Sequence, residues 1–164
     1  MRETDRKILL ELLEDCRRPI YAIAERVGVS RQTVAKKIER FVSQGLIRSF
    51  TTRLNPSMFN LNLRAYVLMD VEPDVELRRR CGEEIRRIPQ ITQFHYLFGR
   101  FDAIAEVWAR DQEELTRIVK RLHDLSGVRE TETLIVHDTI KDAPESPFIG
   151  ALTKQAGEAS TARS

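Results

Sequence analysis

The side chains whose types and spacing suit a chemical task lie in residues 29–41, Val-Ser-Arg-Gln-Thr-Val-Ala-Lys-Lys-Ile-Glu-Arg-Phe. Gln32, Lys36 and Arg40 recur every fourth residue, so a helix would place them on one face. A glutamine amide can read a base edge in the major groove of DNA, whereas lysine and arginine can hold phosphate oxygens or guanine. The candidates that flank them are Ser30, Arg31, Thr33 and Lys37. We therefore expect this helix to contact double-stranded DNA; a merely solvated basic face is the alternative.

Two helices and a turn must position this face. The apolar positions opposite it recur at i, i+4 and i+7, which predicts a buried stripe of Val34, Ile38 and Phe41. Ser30 stands before the helix and is a favoured N-cap residue. Residues 19–28 predict a shorter preceding helix, because Pro19 suits a first helical position and Gly28 ends the apolar pattern. A short helix, a glycine turn and a basic helix form a helix-turn-helix.

Further elements complete this domain. Residues 5–15 predict a first helix with Thr4 as its cap, whose apolar stripe is Ile8, Leu9, Leu12 and Leu13. After Gly45, two short strands within residues 46–54 should form a wing. We therefore assign residues 1–54 to a winged helix-turn-helix and residues 55–62, which begin with Asn-Pro, to a linker.

The second half predicts a different architecture. Apolar and polar residues alternate over residues 63–71, which is typical of a half-buried strand, and further strands are expected at 91–98, 103–109 and 128–136. One helix should lie between Pro73 and Pro89. Another should begin at Asp111, with Glu114 as its capping-box partner. The fold class is thus α+β, with the winged helix-turn-helix followed by a ferredoxin-like βαββαβ domain over residues 63–140. The uncovered sheet face should be partly apolar, which predicts a homodimer.

Charge and composition restrict the classes of protein to which this chain can belong. Residues 1–60 hold 12 Lys or Arg against 7 Asp or Glu, whereas residues 61–164 hold 15 against 18, so the basic half contains the helix-turn-helix. No apolar run approaches the ~20 residues that span a bilayer, and no signal peptide is evident. Cys16 and Cys81 stand alone, which favours a reduced, cytoplasmic compartment and no metal or other cofactor. The extension at 141–164 is rich in Pro, Ser, Thr and Ala. We expect it to be partly disordered at its last residues, with Phe148, Ile149 and Leu152 packing locally before that point.

Several short motifs occur in a fixed order. They are Thr-Asp-Arg-Lys-Ile-Leu at 4–9, Ala-Glu-Arg-Val-Gly-Val-Ser at 24–30, Gly-Leu-Ile at 45–47, Arg-Leu-Asn-Pro at 53–56, Gly-Arg-Phe-Asp at 99–102, and Gly-Val at 127–128 with Thr-Glu-Thr at 131–133. In this order and spacing they resemble the leucine-responsive/asparagine (Lrp/AsnC) family of transcription regulators. The resemblance covers nearly all of residues 4–136.

The resemblance implies a small effector, typically an amino acid, that modulates assembly or DNA affinity. Family members bind it between neighbouring dimers, which here implies a site of Gly99, Arg100, Phe101 and Asp102, with Thr131, Thr133 and Ile135 from a neighbouring subunit. It also implies dimers that stack into octamers and that bind a palindromic operator. Family members often carry an acidic residue where Arg100 stands. Arg100 should therefore disfavour cationic side chains, unless it pairs with Glu130 or Glu132. From spacing alone, Gly99 could simply be the left-handed residue of a hairpin.

Two other classes of protein are possible. Sirohaem decarboxylases look similar to this family, and His95 is the one histidine placed suggestively for such an enzyme. However, no nucleophile elbow, metal-ligand spacing or glycine-rich phosphate loop occurs. The other class is an assembly module that has lost DNA binding, which Gln32, Lys36 and Arg40 argue against. The run Arg78-Arg79-Arg80 is better explained by pairing with glutamates of its own helix than by nucleic-acid binding.

Overall fold

A computed structural model describes the backbone of residues 1–161 and the side chains of residues 1–154. The chain divides into two compact units. The first comprises Met1–Arg53 together with the chain from Lys141 onward, and the second comprises Leu54–Ile140. No helix in the described part of the chain is long and apolar enough to cross a membrane.

The first unit begins with three helices, α1 (Glu3–Glu14), α2 (Ile20–Val27) and α3 (Arg31–Ser43). Their shared core consists of Ile8, Leu9, Ile23, Ala24, Val34 and Phe41. Burying each large apolar side chain stabilises the unit by about 1.5–3 kcal/mol. The prediction that Thr4 caps α1 is wrong, because the helix starts two residues earlier than expected and its N-cap, Arg2, supplies no side-chain hydrogen bond. Pro19 is the N-cap of α2 rather than its first helical residue.

The turn between α2 and α3 depends on Gly28. Its φ of 77° is left-handed, a region that glycine occupies without the strain that a Cβ brings. Its N–H donates to the carbonyl of Ala24 at 2.9 Å, which closes the end of α2.

The chain after α3 differs from expectation. The two strands expected within residues 46–54 are not formed, and this segment has no strand pairing in the described structure. Leu46, Ile47 and Phe50 of this segment instead line a cavity of about 500 Å³, together with residues of α1 and of the C-terminal chain. Arg53, at its end, forms an ion pair of 2.7 Å with Asp142.

The second unit is an antiparallel four-stranded sheet with two helices on one face. Its elements are β1 (Leu63–Val71), α4 (Val75–Ile85), β2 (Ile91–Tyr96), β3 (Ala103–Ala109), α5 (Gln112–His123) and β4 (Val128–Ile135). The strand order is β2-β3-β1-β4, and Val67 pairs with Ala105 on one side and Thr133 on the other. The predicted ferredoxin-like α+β fold is therefore confirmed. A short 3-10 helix, Pro56–Phe59, precedes the sheet where a linker was expected.

The alternation of β1 separates the two faces of this sheet. The helix-facing side chains Ala65, Val67 and Met69 have no solvent exposure and meet α4 and α5. The other face carries Arg64, Tyr66, Glu106, Trp108 and Leu134, as the pairing register requires. There Arg64 donates to Glu106, and its guanidinium lies 5.4 Å from the ring of Trp108.

The ends of the helices are set by side chains. The Asp111 carboxylate accepts the Glu114 N–H at 2.8 Å, as a cap of α5 should. In a capping box, the Glu114 carboxylate would accept the backbone N–H of Asp111 in return. Here it instead accepts from the backbone N–H and the Nε of Arg110, each at 2.9 Å. Past α5, Gly127 has a φ of 87° and lies against Leu77.

The C-terminal extension is described only in part, so the expectation of partial disorder over residues 141–164 stays a prediction. A helix, α6 (Ser146–Thr161), occupies most of it. Leu152 is 8% exposed and joins the core of the first unit, and its carbonyl accepts from Arg6 at 3.3 Å. Local packing was expected for Phe148, Ile149 and Leu152, and Leu152 does pack in this way. Residues 162–164 lie outside the described residues.

Candidate DNA-contacting helix and effector turn

Helix α3 is set by a cap at its first turn. The Ser30 hydroxyl oxygen accepts the Thr33 N–H at 3.1 Å, as predicted, and lies 2.9 Å from the Thr33 hydroxyl. Such a cap satisfies an N–H that the helix cannot pair. Both hydroxyls are therefore partly engaged within the cap. Val34 and Phe41 anchor the opposite side of the helix in the core.

The exposed face of α3 carries Arg31, Gln32 and Lys36. Within the described part of the chain, Gln32 and Lys36 make no side-chain hydrogen bond or ion pair. The Arg31 guanidinium lies 5.7 Å from the centre of the Tyr21 ring on α2. An unpaired amide beside an unpaired ammonium group can accept and donate hydrogen bonds to a ligand without first breaking internal ones.

The other two predicted contacts of α3 are engaged inside the unit. Arg40 donates to the Asp5 carboxylate of α1 at 2.8 Å, and Lys37 donates to the second oxygen of that carboxylate. Asp5 is 6% exposed. These two cations therefore neutralise a buried carboxylate, whose desolvation would otherwise be costly.

The electrostatics of Asp5 follow from this arrangement. Burial by itself raises the pKa of the Asp5 carboxyl, but the hydrogen bonds and positive charges of Lys37 and Arg40 outweigh it and hold that pKa below its ordinary value. Asp5 is thus ionised at neutral pH. Sequence reasoning missed this residue because its partners are more than thirty positions away, and no local pattern records that proximity.

The turn at residues 99–102 differs from a simple hairpin. Gly99 does not have the left-handed φ that hairpin spacing predicts, and a Cβ there would meet nothing within 4 Å. The Asp102 carboxylate accepts the Val71 N–H at 2.9 Å. Two guanidinium groups lie near it, that of Arg78 at 3.8 Å and that of Arg129 at 4.0 Å. Neither arginine was predicted to belong to this site.

Arg100 and its neighbours make this end of the sheet basic. The Arg100 guanidinium lies 5.1 Å from the Phe101 ring, and Phe101 is partly buried. Among the described residues, Arg100 forms no ion pair with Glu130 or Glu132, so the competing explanation of its role has no support here. Arg79 and Arg80 do pair with Glu76 of their own helix, as predicted, at 2.8 and 3.0 Å.

The three residues of β4 that were predicted to contact the effector lie on the helix-facing side of the sheet. Thr131, Thr133 and Ile135 line a cavity of about 510 Å³ with residues of α5, which include Lys120 and His123. None of the turn residues 99–102 lines this cavity. The structure therefore does not bring the two halves of the predicted effector site together within one chain.

His95 is the residue on which an enzymatic function was considered, and it lies at the protein surface. His95 is exposed on β2, and its Nε2 lies 3.3 Å from the Gln93 amide oxygen. No cluster of three or more potential metal ligands occurs among the described residues.

Comparison with known proteins accounts for both units. Residues 1–48 match the model of a winged helix-turn-helix DNA-binding domain, and residues 64–146 match that of the Lrp/AsnC ligand binding domain. The chain belongs to the Lrp/AsnC family. An HTH-type transcriptional regulator of Pyrococcus abyssi is 34% identical over 142 residues, covering 85% of this chain and 95% of that protein. The regulator AldR of Mycolicibacterium smegmatis is 33% identical over 143 residues, covering 86% and 84% respectively.

Solved structures of this family share the fold. A Neisseria meningitidis transcriptional regulator, solved in complex with L-Met, has a TM-score of 0.84 at 23% identity and covers 90% of this chain and 99% of its own. An AsnC family regulator of Agrobacterium tumefaciens also has a TM-score of 0.84, at 25% identity, and covers 90% and 97%. The Lrp/AsnC chain described here is thus a DNA-binding transcriptional regulator with a ligand-binding domain, and its matched relatives are regulators rather than enzymes.

Proposed function

We propose that this Lrp/AsnC regulator binds a specific operator through α3, with Gln32 reading a base edge and Lys36 contacting phosphate. The observation that carries the proposal is the exposed, unpaired state of these two side chains on a capped helix. Flanking contacts come from Ser30, Arg31 and Thr33, with Lys37 and Arg40 in a lesser role because Asp5 engages them.

The test is a titration of fluorescently labelled DNA from upstream of the regulator's own coding sequence. Lys36→Ala should weaken binding to all sequences and reduce the salt dependence of log K by about 0.9 per lost phosphate contact. Lys7→Ala is the matched control, since Lys7 is an exposed lysine of the same unit that pairs with Glu3 at 2.8 Å. Equal behaviour of the two variants would mean that α3 does not contact DNA.

We infer further that a small effector, an amino acid, binds at the turn of Gly99, Arg100, Phe101 and Asp102. The Neisseria relative, solved with L-Met, supports this ligand class. Thr131, Thr133 and Ile135 would come from a neighbouring subunit, because they do not meet the turn within one chain. Asp102 would accept the ammonium group and backbone N–H groups the carboxylate.

The charges at this turn favour neutral or acidic amino acids over lysine or arginine. Arg78, Arg100 and Arg129 surround the site and would repel a cationic side chain. Calorimetry against an amino-acid panel tests this proposal. Asp102→Asn should abolish binding while keeping an oxygen for the Val71 N–H. Binding that survives this change, or that prefers lysine, would contradict the assignment.

We also propose a homodimer formed through the uncovered face of the sheet, which stacks further into an octamer and binds a palindromic operator. Leu134 is 48% exposed on that face, opposite Tyr66 on the neighbouring strand. Leaving such a patch in water is unfavourable. Light scattering should give a smaller assembly mass for Leu134→Asp than for the unaltered protein. A monomeric unaltered protein at micromolar concentration would refute the proposal.

We also propose a cytoplasmic location, in which Cys16 and Cys81 stay free.

A further inference from the structure

One carboxylate of α1 holds two cations of the proposed DNA-contacting helix. Asp5 receives hydrogen bonds from Arg40 at 2.8 Å and from Lys37, one on each oxygen. The Lys37 side chain is 15% exposed, whereas that of Arg40 is 41% exposed, so Arg40 reaches the surface while it is paired. Lys36, one position away from Lys37, has no such partner among the described residues.

We propose that Asp5 is a positioning residue that limits sequence-independent DNA binding by holding Lys37 and Arg40 away from the phosphates. The inference rests on the proposed contact between α3 and DNA. With both cations engaged, the attraction of α3 for any duplex comes mainly from Lys36 and Arg31. The contact of Gln32 with a base edge then makes up a larger share of the total affinity.

The physical basis is the difference between phosphate and base contacts. Each cation that neutralises a phosphate strengthens binding to every sequence alike and releases a counterion, whereas base contacts discriminate. A buried carboxylate that has two hydrogen-bonded cations competes with phosphate for both of them. Removing its charge should therefore free at least Arg40, whose guanidinium already lies partly in solvent.

The decisive experiment measures the affinity for non-operator duplex DNA as a function of salt. Asp5→Asn should steepen the slope of log K against log salt by about 0.9 for each freed cation that reaches a phosphate. It should also reduce the ratio of operator to non-operator affinity. Glu11→Gln is the matched control, because Glu11 is also a carboxylate of α1 that pairs with two arginines, Arg18 and Arg26, neither of which lies on α3. Asp5→Asn that gives the same slope as Glu11→Gln would overturn the proposal.

A second comparison decides the matter even if Asp5→Asn does not fold. In the otherwise unaltered protein, Lys37→Gln should leave the salt slope almost unchanged, whereas Lys36→Gln should lower it by about 0.9. Equal losses from both variants would show that Lys37 reaches phosphate despite Asp5, which overturns this inference alone. No loss from Lys36→Gln would instead refute the proposed role of α3.

Discussion

Replacing Gly127 with alanine tests the packing between the end of α5 and the start of α4. The φ of 87° at this residue costs a non-glycine residue about 1–2 kcal/mol. A Cβ would lie 3.1 Å from the Leu77 Cβ, which is closer than ordinary van der Waals contact, and such overpacking costs about 1–3 kcal/mol. Gly127→Ala should therefore lower the free energy of unfolding of the second unit by about 2–5 kcal/mol.

Urea unfolding followed by Trp108 fluorescence is the assay, since this is the only tryptophan of the chain and lies in the second unit. Gly82→Ala is the control in the same unit. Gly82 lies within α4, and a Cβ there meets nothing within 4 Å, so alanine should stabilise by about 0.5–1 kcal/mol. Gly45→Ala isolates the backbone cost, because Gly45 has a φ of 70° in open space. Since Gly45 lies in the first unit, its loss of stability is measured by a circular-dichroism urea titration rather than by Trp108 fluorescence. A loss at Gly127 no larger than the loss at Gly45 would refute the argument from close contact.

Three further predictions concern caps, charge and the C-terminal helix. Ser30→Ala should destabilise the first unit by about 0.5–2 kcal/mol in a circular-dichroism urea titration, and an unchanged midpoint would contradict the capping role. Hydrogen bonds from Arg110 lower the pKa of Glu114 to about 2, so its contribution to stability is complete above pH 4.5 and is lost as the pH falls towards 2. On acidification from pH 4.5 towards pH 2, the free energy of unfolding of Glu114→Gln should therefore fall less than that of the unaltered protein. Parallel plots of this free energy against pH for the two proteins would refute the prediction. Leu152→Ala should destabilise the first unit by about 2 kcal/mol and speed hydrogen exchange in α1, and unchanged exchange would show that α6 does not pack there.

Much of the fold follows from periodicity and local chemistry. The bounds of β1 and β3 agree with the expected ranges, and every second residue of β1 from Ala65 to Val71 is buried, as alternation predicts. The N-cap roles of Ser30 and Asp111 are confirmed, since each acts within three residues of its own position. The expected ends lie two residues too far for β2 and one residue too far for β4, because the apolar pattern continues past the last residue of each strand.

What the sequence could not predict depends on distant contacts. The strands of the wing were expected from an extended apolar segment after Gly45, but Leu46, Ile47 and Phe50 instead line a cavity with α1 and α6. Leu152 was expected to pack locally, but the surface against which it packs is the core of the first unit, more than a hundred residues earlier in the sequence. The pairing of Asp5 with α3, and the two arginines near Asp102, are likewise invisible to any local pattern.

The most direct test of base reading by α3 is a selection of binding sites from a random DNA library, performed with the unaltered protein and with Gln32→Ala. Gln32 is exposed and unpaired in the described structure, so its loss should leave the fold intact. The account predicts that Gln32→Ala loses about 1–3 kcal/mol of discrimination at one base position of each half-site and keeps the preferences elsewhere. Identical selected sequences for the two proteins would contradict it.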